Sequence, residues 1–182
     1  MKKLALLALL AAGLATGASA TVTAGLDLGY LTDSKEAYWS GRVGLELKST
    51  DLFSHQVEFE LGFSDQKEGI GFFTGKMKLM PYTVNYRAET TKADKLGFYF
   101  GAGIGQTKVK ISIAGSGVPS ISDSDNALTF LAFAGMSYKV APAASLTLGV
   151  KYLKIDDVSL FGFPKMEVGD DLAVAGGLSI RF

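Results

Sequence analysis

The chain ends on DDLAVAGGLSIRF, Asp170 to Phe182, where Leu172, Val174, Gly176, Leu178, Ile180 and Phe182 alternate with Ala173, Ala175, Gly177, Ser179 and Arg181. The first set is apolar or glycine, the second small or polar. A period of two belongs to a strand with unlike faces. With nothing beyond its final Phe, such a strand either finds a second partner or stays an open edge that invites association. Pairing with the first strand of the chain removes the edge, so this stretch predicts a closed barrel.

The opposite end, MKKLALLALLAAGLATGASA, carries Lys2 and Lys3, an apolar run from Leu4 to about Leu14, and Ala18-Ser19-Ala20. A basic start, a short apolar core and a small-x-small site are the parts of a secretory signal peptide, and cleavage is expected after Ala20. The run falls short of the ~20 apolar residues that a transmembrane helix needs. The chain has no cysteine, so a lipoprotein anchor and a disulfide framework are both excluded. Residues 21–182 are expected to form one barrel domain behind the leader, residues 1–20. Losing Lys2 and Lys3 leaves 16 basic against 18 acidic residues, which gives no footing for nucleic acid. Residues 21–182 contain no stretch fit for a membrane-spanning helix, although 48% of the chain is apolar. Only a closed barrel lets such a chain span a bilayer.

The two-residue period recurs along the chain. Strands are expected at residues 21–30, 38–48, 52–64, 72–89, 96–111, 126–140 and 145–155, with the eighth at 170–182. The third is the clearest, with Phe53, His55, Val57, Phe59, Leu61 and Phe63 set against Ser54, Gln56, Glu58, Glu60 and Gly62. In the fourth, the apolar phase is odd at Met77 and Leu79 but even at Tyr82, Val84 and Tyr86. A β-bulge near Met80-Pro81 is expected to absorb both the slip and the proline. The first, third, fifth and seventh connections are the longer ones, with two long loops at residues 112–125 and 156–169.

The stretch FYFGAGIG in the fifth strand and the closing strand ending at Phe182 resemble the small outer membrane protein β-barrel domain family, OmpA-like and OmpX-like. The resemblance implies an all-β protein, an eight-stranded antiparallel up-and-down transmembrane β-barrel located in the cell outer membrane. It implies that Leu178, Ile180 and Phe182 form the signal read by the insertion machinery. Periplasmic chaperones and the barrel assembly machinery are the implied biogenesis partners, outer-membrane lipid and lipopolysaccharide the surroundings, and the chain is expected to be a monomer. Short turns inside, long loops outside and an even strand number agree with the alternation of connection lengths.

Alternation by itself does not distinguish a membrane barrel from a soluble one, since only the direction of the faces differs. Glycine crowds the polar face, where it weakens a solvated strand but makes room in a narrow lumen. Tyr30, Trp39, Phe63, Phe98, Tyr138 and Phe182 fall near the ends of the apolar stripes, as interfacial girdles do. The middle of the apolar face is nearly free of charge. The apolar face is therefore expected to meet lipid, and the polar face to fill a lumen that eight strands leave only wide enough for side chains. A lumen charge network is expected from Asp27, Arg42, Glu46, Glu58, Glu60, Lys76, Lys78, Arg87, Lys151 and Arg181, with Glu89 and Asp171 on the same face. Folding the hairpins about their turns sets Asp27 opposite Arg42, Arg42 opposite Glu58, and Glu58 and Glu60 opposite Lys78 and Lys76.

Candidates for chemistry are few. The single histidine, His55, falls on the apolar face while Ser54 points the other way, so the two do not make a nucleophile and its base. Glu58 and Glu60 share a face as a glycosidase pair would, but basic residues opposite them point to a structural network. GAGIG lacks the helix and acidic residue of a nucleotide-binding turn. One histidine and no cysteine give no transition-metal site, and Asp123, Asp125, Asp156 and Asp157 read as solvated loop acids rather than cation ligands. No catalytic residue, cofactor or metal is expected. The remaining roles are structural or surface-interacting, with a narrow channel for small or hydrophobic solutes as the first alternative and a lipid-modifying hydrolase as the second.

Overall fold

The computed structural model describes residues 21–70, 73–90, 95–115 and 118–182, so the expected signal peptide lies outside the described residues. Ten strands follow in order: β1 (Val22–Leu31), β2 (Glu36–Ser49), β3 (Phe53–Ile70), β4 (Phe73–Thr90), β5 (Leu96–Gly115), β6 (Val118–Ala141), β7 (Ala144–Ile155), β8 (Val158–Leu160), β9 (Phe163–Met166) and β10 (Gly169–Arg181). Eight of them close an antiparallel barrel in which each pairs with its chain neighbour and β1 pairs with β10. The seam sets Leu26 opposite Leu178 and Ala24 opposite Ile180. It is completed where the Phe182 amide donates to the Val22 carbonyl at 2.8 Å.

The faces point as a bilayer requires. Leu28, Phe100, Ile104 and Leu148 are at least half exposed on the outside, whereas Arg42 and Glu58 are 5% and 2% exposed within. An uninterrupted apolar belt of this extent is not a water-facing surface. Trp39 stacks on Phe63 across β2 and β3 with ring centroids 4.3 Å apart, at the end of the belt where the chain leaves for its outer connections.

Four expectations are corrected. No bulge interrupts β4: Met80 and Pro81 keep one register with Lys108 and Thr107 of β5, and the pairing with β3 is the same on both sides of them. The strand keeps its phase and its inner face changes chemistry instead, with Leu79 and Pro81 pointing inward and Met80 outward. The bulge in this part of the barrel sits in β2 between Glu46 and Lys48. The turns themselves are offset from their expected centres, with Ser49 pairing with Ser54 and Leu31 with Glu36, so Arg42 lies opposite Glu60 rather than Glu58 and Asp27 opposite Ser40. The supposed loops 65–71 and 112–125 are largely strand, since β3, β4, β5 and β6 run on until only residues 71–72 and 116–117 separate them. The loop 156–169 folds as the hairpin β8–β9.

Candidate functional site

The lumen is built in layers. Its charged layer is supplied by β1, β2, β3, β4 and β7, each of which turns every second residue inward. The Arg42 Nε is 3.3 Å from Asp27 Oδ2 and its Nη1 is 3.5 Å from Glu58 Oε1. Lys151 Nζ lies 2.8 Å from Asp27 Oδ2 and 2.6 Å from Glu60 Oε1. Arg87 Nε is 3.9 Å from Glu58, its Nη2 is 3.1 Å from Glu89, and its guanidinium covers the Tyr99 ring 3.8 Å from the centroid. Asp27, Glu58 and Glu60 thus face Arg42, Arg87 and Lys151, three against three, so the centre of the layer is neutral. Neutral donors complete it: the Tyr38 hydroxyl and the Asn85 amide both donate to Glu60. The space left among these side chains is about 10 Å³, room for at most one water.

Glycine makes this packing possible. A Cβ at Gly25 would lie 2.6 Å from the Arg42 guanidinium carbon, and one at Gly135 would lie 2.5 Å from the Tyr99 hydroxyl. Arg42 and Tyr99 therefore lie flat against bare backbone on facing walls.

Outward of the charges, the lumen becomes apolar. Leu31, Tyr38, Tyr99, Leu131, Phe133, Leu153 and Ala173 form one buried cluster. Leu79, Val109, Ala127 and Ile155 form the next, together with Val158 and Leu160 of the hairpin, both at 2% exposure or less. The hairpin β8–β9 is thus folded over the mouth with its apolar residues turned into the barrel. Two β6 carboxylates hold it, Asp125 accepting from the Ser159 amide at 2.8 Å and Asp123 from the Phe161 amide at 2.7 Å. The bond from the Ser159 amide, with one from the Asn126 amide, keeps the Asp125 carboxyl below its ordinary range. At the other end a polar vestibule of about 260 Å³ opens between Gln56, Glu89, Lys139 and Arg181.

Several expected network members are placed elsewhere. Lys76 and Lys78 point outward and are exposed; Lys78 pairs with Asp65 at 3.5 Å on the outer surface. Their assignment to the lumen followed from the supposed bulge, and without it their phase is outward. Glu46 and Arg181 approach to 3.8 Å in the vestibule, apart from the central layer. Asp171 accepts from the Asp33 and Ser34 amides and pins the β1–β2 connection. Leu178, Ile180 and Phe182 face outward, Phe182 at 75% exposure. His55 Nδ1 is 2.5 Å from the Tyr86 hydroxyl on the outer face, near the β3 end opposite the lid, with Ser54 buried inside. Tyr38, Tyr99 and Phe133 fill the lumen beside the charges, and Tyr99 lies in the glycine-rich phase of its strand, where glycine leaves room for it.

Comparisons place this geometry. A family model described as outer membrane protein beta-barrel domain matches residues 4–182. Among solved structures, the chain is similar to Neisserial surface protein A at 16% identity, over 91% of this chain and 98% of that one, with a TM-score of 0.56. It is similar to a major outer membrane protein from Thermus thermophilus at 12% identity, over 90% and 99%, with a TM-score of 0.67. It is also similar to the outer membrane enzyme PagL at 12% identity, over 88% and 99%, with a TM-score of 0.50. Comparison with curated proteins finds no match. At these identities the likeness is one of fold, and a fold shared by a surface protein and an enzyme does not choose a role.

Proposed function

The chain belongs to the outer membrane protein β-barrel domain family, and from that premise we propose that it is a non-conducting outer-membrane barrel whose role is structural or surface-interacting. The observation that supports this reading is the double closure of the lumen. A neutral, mutually paired charge layer leaves about 10 Å³ free, and above it the hairpin β8–β9 buries Val158 and Leu160 in the mouth. Moving an ion through would mean stripping its water and breaking buried pairs together, each of which costs several kcal/mol. The surface on offer is the outer rim: the β1–β2 connection, the extended β3–β4 and β5–β6 hairpins, and the lid.

In this reading residues 1–20 direct export and are cleaved after Ala20. Leu178, Ile180 and Phe182, apolar and outward on the closing strand, serve as the insertion signal for the assembly machinery after periplasmic chaperones deliver the chain. The folded barrel is a monomer surrounded by lipid and lipopolysaccharide. Hydrolysis is not part of it, because His55 is bonded to Tyr86 while Ser54 faces the lumen. The test is a planar-bilayer recording of the full folded protein. No reproducible unitary conductance is expected, and a steady open level would replace this reading with the channel.

A further inference from the structure

The corrected phase of β4 brings together on the outer wall a group of cations with no explanation in the fold. Lys78 lies directly opposite Lys110 in the β4–β5 ladder, while Lys76 lies opposite Ser112 and Lys108 opposite Met80. All four lysines are exposed and turned outward. Like charges directly opposite on a sheet destabilise it, and the two diagonal lysines lie within ~8 Å of that pair, still within reach of long side chains. Asp65 relieves only Lys78, at 3.5 Å; among the described residues no carboxylate pairs with Lys76, Lys108 or Lys110. The neighbouring strand adds uncharged polar side chains, with Ser124 opposite Lys110 and Asn126 opposite Lys108. Across the barrel the same rim carries Lys154 opposite Asp170, one of each sign. That pair is balanced, whereas the β4–β5 group is not.

Its height is informative. On the outer face of β5 the apolar run begins at Leu96 and ends at Ile104, where Gln106 accepts from the Tyr82 hydroxyl at 2.6 Å. Ten residue steps from Leu96 to Gln106, in a strand tilted by about 40°, span roughly 25 Å, the height of a bilayer's apolar band. Lys108 is the next outward residue and Lys110 the one after, roughly 5 and 10 Å beyond that band. That is the level of lipid headgroups. An even number of barrel strands puts both termini on the periplasmic side, so this is the outer leaflet.

We infer that the Lys76, Lys78, Lys108 and Lys110 cluster binds the phosphate groups of lipopolysaccharide in the outer leaflet, anchoring one sector of the barrel to that lipid. The inference rests on the outer-membrane reading above, which sets this end outward. The phosphates supply the counter-charge that the sheet lacks, and Ser124 and Asn126 offer hydrogen bonds at the edge of the cluster.

The test titrates the full folded protein in micelles with lipopolysaccharide, with the same lipid after enzymatic dephosphorylation, and with inorganic phosphate, following the thermal unfolding midpoint. Intact lipopolysaccharide should raise the midpoint saturably, and the other two should not. A Lys76→Gln, Lys108→Gln, Lys110→Gln variant should need on the order of 100-fold more lipopolysaccharide for half the effect, since each lysine near an anionic surface contributes about a factor of five. The matching lysine-to-arginine variant, which keeps the charge, should respond as the parent does. A glutamine variant with the parental dose response overturns the site, as does equal stabilisation by dephosphorylated lipid or by inorganic phosphate. None of these outcomes bears on conductance, which separately decides the plugged-barrel reading.

Discussion

Arg42 is the residue on which the charged layer turns, because it is the bridge between Asp27 and Glu58. Lys151 supports Asp27 and Glu60 from β7, but among the described residues the other cation that reaches Glu58 is Arg87, at 3.9 Å. Arg42→Ala should therefore destabilise the barrel by about 3–5 kcal/mol, the usual cost of leaving a buried partner uncompensated. The urea midpoint of the protein in lipid vesicles reads this directly, and an unchanged midpoint would show that water enters and solvates the stranded acids. The inward phase of Asp27, Arg42, Glu58, Glu60, Arg87 and Lys151 was legible in the sequence, because each falls on the polar face of its strand and the face period is strict. The pairing of Arg42 with Asp27 and Glu58 was legible too and is formed, although diagonally rather than directly across the ladder. The pairing of Lys151 with Asp27 and Glu60 was not, because it crosses the lumen between strands that are not neighbours, which leaves no mark in a hydropathy pattern.

Among the elements, the hairpin β8–β9 is the one whose stability is local. It is tied to the barrel by Val158 and Leu160 and by two amide-to-carboxylate bonds, so it can open without unfolding the strands beneath. Asp125 gives this a pH dependence of definite sign. Its folded carboxyl is held below its ordinary 3.8, so the contribution is complete above that value and is lost as pH falls through the lowered one. The Ser159 amide proton should report it, shifting upfield in an NMR titration with a midpoint under 3.8, and Asp125→Asn should abolish the titration. A midpoint at or above the ordinary value would mean that the lid is not docked through this bond. The element also shows where sequence reading stopped. Asp123 and Asp125 look like solvated loop acids because hydropathy carries no information on which backbone amides will arrive beside them from residues 159 and 161. The run-on of β5 and β6 was hidden similarly: SIAGSGVPSISDSD has turn composition, and only pairing between its two arms, residues 112–115 and 118–125, makes those arms extended.

At the scale of the whole molecule, the direction of the faces decides everything else, and both it and the strand count could be read from the chain because lipid outside and charge inside leave the same two-residue period on every strand. The slip inferred in β4 erred for a related reason: the period was assumed to separate apolar from polar all the way up, whereas the lumen itself turns apolar beneath the lid, at Leu79, Val109 and Ile155. If the belt faces hydrocarbon, its cost for charge must vary with depth. Val150 and Leu146 of β7 are both outward and exposed, at 43% and 50%, and differ in height, Leu146 lying near the turn into β7 and Val150 near the middle of the belt. Val150→Arg should cost about 2–4 kcal/mol in bilayers and Leu146→Arg only ~0–1, because arginine near the interface reaches the headgroups. Equilibrium unfolding in phosphatidylcholine vesicles measures both. Equal losses at the two positions would mean that this face is not graded by a membrane, whereas the same pair in detergent micelles, where depth is ill-defined, should differ far less.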